Sequence, residues 1–159
     1  MSNNQKEKFR VWKREKEIIV AKFWGKQDEK DAKGFIVEVY KLTVPEEIKR
    51  KTDFLVDKFL KESGEQSIKD FIQELSNFKT SPVEEIRLLI DATEADIASA
   101  GARKTYLEFA KAFRMAKAAI FGTKTLLKVL ANFIIATAAK ENVKFFSTEE
   151  EALEWLKGE

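Results

Sequence analysis

The second half of the chain alternates short apolar runs with segments of helical spacing, and no other feature restricts its folding as strongly. Arg87 to Ala92 (RLLIDA) and Lys117 to Phe121 (KAAIF) are almost wholly apolar, and Val143 to Phe146 (VKFF) is a further short run of strand formers. Runs of this kind read as inner strands, buried on both faces of a sheet. Between them, Ala102 to Met115 places Tyr106, Leu107, Ala110 and Phe113 on one helical face, and Leu126 to Ala139 is apolar nearly all round. A last helix is expected over Thr148 to Lys157, where Ser147 and Thr148 supply hydroxyls and Glu149 to Glu151 supply acids at its start. Regular alternation of strand and helix implies right-handed crossovers and a parallel sheet covered by helices.

The first half adds a hairpin and more helix. Phe9 to Glu15 and Ile18 to Trp24 (IIVAKFW) read as two strands, with the polar stretch Lys13 to Glu17 turning between them and Gly25 as the end. Residues 28 to 42 fit two periods. Ala32, Phe35, Ile36, Val39 and Tyr40 mark a helix face, while Phe35, Val37 and Val39 also alternate as in a strand; Asp28 and Asp31 at the start favour the helix. After Pro45, Glu46 to Glu62 carries Ile48, Leu55, Phe59 and Leu60 at helical spacing, and Gln66 to Phe78 repeats the pattern. The fold class expected is α/β: a mostly parallel central sheet of about 4–5 strands with an amino-terminal hairpin, covered by helices. All 159 residues suit one domain.

Two absences restrict the chemistry. With no cysteine there are no disulfides, thiolate nucleophiles or Cys-ligated metals, and with no histidine there is no His-based triad, H-E-x-x-H zinc site or imidazole base. Phosphate-binding and nucleophile-elbow motifs are missing too; Gly122-Thr123-Lys124 is too short to be a phosphate loop. Asp91, Glu94 and Asp96 follow the central strand and offer oxygen for Mg²⁺ in principle, but turn and cap chemistry explains them better. The expectation is therefore a protein that is not an enzyme and uses no cofactor or metal. The polar first residues, MSNNQKEKFRVWKREKE, contain no secretory or anchoring segment, so a cytoplasmic location is expected.

The succession LLIDATEAD, helix, KAAIFGT, apolar helix and NVKFFSTEEEALEWLK resembles the SpoIIAA-like branch of the STAS domain family, and the closing VKFFSTEEEALEWL is its most specific part. The likeness covers residues 84–157 well and residues 9–25 loosely. Residues 28–80 are longer than the single helix usual there, which implies an enlarged helical insertion. The resemblance implies a non-catalytic regulatory or ligand-binding domain. In regulatory STAS members a D-S-S-G-type turn carries a phosphorylated serine; the corresponding turn here is Ile97-Ala98-Ser99-Ala100-Gly101, which makes Ser99 the candidate phosphoacceptor of a partner switch resembling anti-sigma factor antagonists. Ala98 replaces the acid of that motif, and the plain alternative is that Ser99 caps the following helix.

For ligand binding, the apolar stretch 126–139 is the most informative. It falls short of the roughly 20 residues that span a bilayer. It suits either a helix packed in the interior or one wall of a pocket for an apolar or lipid-like ligand, or a face for peripheral membrane contact, with Lys124, Leu127, Lys128, Leu130, Ala131, Phe133 and Ile134 as the candidate face. Arg103, Lys104, Lys111, Arg114, Lys117, Lys124, Lys128, Lys140 and Lys144 oppose only Glu108 and Glu141 between residues 101 and 144, a positive rim suited to an anionic headgroup. Phe9, Trp12, Phe23, Trp24 and Tyr40 are read as strand and core packing, and with a net charge of +2 no nucleic acid is expected. The partners left are a protein of unknown identity, an apolar or anionic ligand, or a second copy in a homodimer.

Overall fold

The computed structural model describes residues 8–15, 18–78, 86–96, 98–112, 115–123 and 143–158. Strands β1 (Phe9–Glu15) and β2 (Ile18–Gly25) pair antiparallel, with Phe9 opposite Phe23 and Trp12 opposite Val20. β3 (Ile86–Ala95), β4 (Met115–Gly122) and β5 (Val143–Phe146) then add in parallel, giving a five-stranded sheet in the order β1-β2-β3-β4-β5. The α/β class, the mostly parallel sheet and the hairpin expected from the sequence are all present.

Both faces of the sheet are covered, which is why β2 to β4 show so little polar alternation. Ile19, Ala21, Phe23, Leu88 and Ala118 point to one face and join the main core with helices α1 (Glu29–Thr43), α2 (Glu46–Lys61), α3 (Glu65–Ser76) and α4 (Ala100–Ala112). Ile18, Val20, Leu89, Ala119 and Phe121 point to the other, where Ala152 and Leu156 of α5 (Glu149–Lys157) meet them. Thr148 caps α5, its hydroxyl accepting the Glu151 N–H.

Helix α1 resolves the ambiguous stretch. Asp28 accepts the Asp31 N–H at 2.8 Å and Asp31 returns the bond to the Asp28 N–H at 2.9 Å, a reciprocal cap whose hydrogen bonds hold the Asp28 carboxyl below the usual carboxylate range. Phe35, Ile36, Val37, Val39 and Tyr40 are all buried, because α1 packs against the sheet on one side and against α2 on the other. A helix apolar on more than one side produces the strand-like alternation seen in its sequence.

The α2–α3 pair is fastened to α1 by polar contacts as well as packing. Phe59 and Phe71 stack with centroids 4.4 Å apart. The buried Lys33 ammonium lies over Phe59 at 4.9 Å and donates to the carbonyl oxygens of Phe59, at 3.0 Å, and Glu62. Gly64 takes φ +93°, a conformation that favours glycine, and its N–H donates to Glu29 at 2.6 Å as α3 begins.

Two boundaries differ from the sequence expectation. β3 runs on to Ala95, because Trp24 and Gly25 of β2 continue to pair with Glu94 and Ala95. The helix expected to reach Met115 ends by Ala112, since Met115 already pairs with Ile86 in the sheet. The helix expected over Leu126 to Ala139 lies outside the described residues. Among the described residues, no helix is long and apolar enough to cross a membrane.

Candidate functional site at the carboxyl end of the sheet

Parallel strands present their carboxyl ends as the usual place for ligands in open α/β sheets. Here that edge carries Lys22 and Trp24 of β2 and Asp91, Thr93 and Glu94 of β3. The strand continues past the Ala92 end that the sequence suggested, so Glu94 lies on it together with Asp91, and the register with β2 brings Lys22 to both. The Lys22 ammonium is 3.1 Å from Glu94 and 3.9 Å from Asp91, and lies 5.4 Å from the centre of the Trp24 ring. The Glu94 bond, with the two carboxylate charges, holds Lys22 above the usual lysine value. Asp91 also accepts the Thr93 N–H at 3.0 Å and its hydroxyl at 2.6 Å. Asp91 is thus engaged by Thr93 and both acids by Lys22 of the adjacent strand, and the described residues contain no group of three acids that could hold a metal ion.

Ser99 lies just beyond this edge, at the start of α4. Its N–H donates to the Gln27 carbonyl at 2.9 Å, its hydroxyl accepts the Ala102 N–H at 3.1 Å, and its carbonyl takes the Arg103 N–H at 2.9 Å. That is an N-cap which also ties α4 to the β2–α1 connection. A Cβ placed on Gly101 would meet the Glu29 carboxylate at 3.5 Å and the Ser99 hydroxyl at 4.0 Å, so a phosphoryl group on Ser99 would share this space with Glu29. Three helix starts, those of α1, α3 and α4, converge here on Asp28, Glu29 and Ser99, and the carboxylates offset their dipoles. Ser99→Ala is expected to lower stability by about 1 kcal/mol and Ser99→Asp to keep most of it. Thermal unfolding of both variants checks this; equal losses in the two would rule out the cap as the role of this side chain.

The expected ligand face, Lys124, Leu127, Lys128, Leu130, Ala131, Phe133 and Ile134, lies outside the described residues. The strands on either side of it in the chain are described. Ala92 and Ile120, with the partly buried Ile90, Ala95, Val143 and Phe145, form an apolar cluster across β3, β4 and β5 that adjoins the main core through Ile90, Ala95 and Val143.

Of the expected positive rim, Arg114, Lys124, Lys128 and Lys140 lie outside the described residues. Lys117 and Lys144 lie on the α5 side, 4.9 and 5.4 Å from the Trp155 ring, because strand alternation turns them away from α4. Lys117 donates to the carbonyls of Trp155 at 2.8 Å and Gly158 at 2.7 Å, and Arg87 donates to that of Leu156. These cations cap the carboxyl end of α5, where the helix dipole favours positive charge. The aromatic residues do not form a common platform: Phe23 and Tyr40 are core residues, while Trp12 is exposed.

Three polar residues were not legible as site residues. Gln27, inside a run of charged residues, is buried and donates its amide N–H groups to the carbonyls of Lys8 at 2.8 Å and Trp24 at 2.9 Å. Lys33 reads as a solvated lysine until α2 is packed against it. Tyr106 counts as one more apolar residue of α4, yet its hydroxyl is enclosed and makes no hydrogen bond to the protein.

A mostly parallel five-stranded sheet with an antiparallel hairpin at one edge and helices on both faces defines an α/β domain. The chain belongs to the SpoIIAA-like family, whose model matches residues 18–157. Its fold is similar to the crystal structure, at 2.25 Å, of an uncharacterized protein from the DUF3478 family with a SpoIIAA-like fold from Shewanella loihica PV-4. The two are 18% identical, the match covers 98% of each chain, and the TM-score is 0.54. A search of curated proteins gave no match.

Proposed function

We propose that this protein is a non-catalytic binding domain that takes an apolar or lipid-like ligand with an anionic end. The observation that supports this reading is an apolar cluster across β3, β4 and β5, Ile90, Ala92, Ile120, Val143 and Phe145, which adjoins the main core through Ile90 and Val143. In the chain, the segment that joins β4 to β5 is the one whose sequence is apolar nearly all round and is flanked by Lys124, Lys128 and Lys140. Apolar walls with a few polar groups to fix one end are the common composition of small-molecule sites. A switch at Ser99 has less support, because that hydroxyl serves the α4 cap beside Glu29.

A fluorescent long-chain fatty acid tests the reading. Saturable binding is expected, and Phe145→Glu, a change at a half-buried position of a short strand, is expected to weaken it by about 10-fold or more, equal to about 1.4 kcal/mol. Circular dichroism verifies that the variant is folded. Absence of saturable binding by the parent protein, or equal affinity in the folded variant, would count against the proposal.

A further inference from the structure

We propose that Tyr106 and Gln27 together hold a small uncharged guest, one that both donates and accepts hydrogen bonds, between α4 and the first turn of α1. This site is separate from the apolar one and does not depend on it. Its two polar ends have fixed directions. Both N–H groups of the Gln27 amide donate to main-chain carbonyls, Lys8 at 2.8 Å and Trp24 at 2.9 Å, so flipping the amide would break both bonds. The amide oxygen therefore faces away from them, out of contact with solvent and with no hydrogen-bond partner in the protein.

The Tyr106 ring is held edge-on by Phe23, with centroids 5.9 Å apart, and Phe35, at 5.8 Å. Side chains on a helix lean towards its amino end, which carries the hydroxyl back along α4 towards Ser99. The Ser99 N–H is bonded to the Gln27 main-chain carbonyl, α1 packs on α4, and the charges of Asp31 and of Asp28, the residue after Gln27, reach the Tyr106 hydroxyl. Burial, and after it the charges of Asp31 and Asp28, push the tyrosine well above its usual value, so it stays a neutral hydroxyl able to donate. Gln27 accepts. Buried polar atoms in native proteins are almost always paired, and two complementary ones with no partner in the protein are the signature of a small internal guest. An ion is disfavoured, because a charge brought into this interior would lose its hydration while meeting no free opposite charge on Tyr106 or Gln27. A water molecule and a small alcohol or amide share the required chemistry.

The sign of one stability change tests the proposal. If a guest bridges the two groups, Tyr106→Phe breaks a bond and lowers the thermal midpoint, by about 2–4 °C for a chain of this size. If there is no guest, the same substitution removes a desolvated hydroxyl and leaves the midpoint unchanged or raised, which overturns the proposal. A crystal structure of the parent protein is expected to show density within hydrogen-bond distance of the Tyr106 hydroxyl and the Gln27 amide oxygen, and that of Tyr106→Phe to lack it. Continuous protein contact with no density between them also overturns it. Native mass spectrometry separates the two sources: a water leaves the mass unchanged, whereas an organic guest adds its own.

Discussion

Phe35→Ala is expected to lower the unfolding free energy by about 3–5 kcal/mol, the range for truncating a fully buried phenylalanine. Phe35 is 2% exposed and meets Phe23 of β2 at 5.1 Å and Phe109 of α4 at 5.7 Å, as well as Tyr106. It is the ring on which the sheet, α1 and α4 close together. Its neighbours are set by three separate elements, and none can move into the void without disturbing the others. A cavity term therefore adds to the lost burial. Urea unfolding measures the loss as a lower midpoint with an unchanged slope. The contrast is Phe54→Ala: Phe54 is 59% exposed and its ring pairs with that of Phe78, 6.2 Å away, so its truncation is expected to stay near 0.5 kcal/mol. Similar losses at both positions would mean that Phe35 is not at the centre of the core.

Lys33→Met is expected to cost about 3 kcal/mol, because a buried acceptor left without its donor costs about 1–3 kcal/mol and here there are two. Methionine keeps the length and apolar character of the stem. What it removes is the ammonium group that donates to Phe59 and Glu62 at the end of α2 and pairs with Glu29 at 3.8 Å. Glu29 itself accepts the Gly64 N–H, so the loss spreads to the start of α3. A pH series gives the same contact a second signature. Burial lowers the Lys33 pKa below 10.5, so the unfolded chain binds this proton more tightly than the folded one. Between the folded value and 10.5 the unfolded state holds more protons, so this group makes stability rise as pH rises, whereas below that window its contribution is constant. Tyr40 and Tyr106, both raised above 10.0, act in the opposite sense above that value and are unchanged in the variant. The stability gap between the parent protein and Lys33→Met is therefore expected to widen as pH rises towards 10.5. A gap that stays constant or narrows would show that Lys33 titrates as an exposed lysine.

What could be read from sequence depended on the range of the interactions involved. The inner strands declared themselves because β3 and β4 lie between neighbours and under helices on both faces, so nearly every side chain had to be apolar. Helix starts were visible for the same local reason: Asp28, Ser99 and Thr148 each bond to an N–H three residues on. The end of β3 was not visible, since Thr93 and Glu94 look like a loop until Lys22 on the adjacent strand neutralises Glu94. The placement of two rim lysines was hidden for a similar reason. Charge counted along the chain does not record that Lys117 and Lys144 alternate to the α5 side and bind main-chain carbonyls at the helix end. Gln27 and Lys33 acquire their roles through partners 19 to 29 residues away and Tyr106 through enclosure, and nothing in a local pattern marks them.

Native mass spectrometry of the protein purified from cells without detergent, before and after delipidation, tests the binding function most directly. The expected spectrum before delipidation carries added mass of the size of a fatty acid or lipid, which is lost on delipidation and regained when a long-chain fatty acid is supplied. The bare chain mass in all three samples would contradict it.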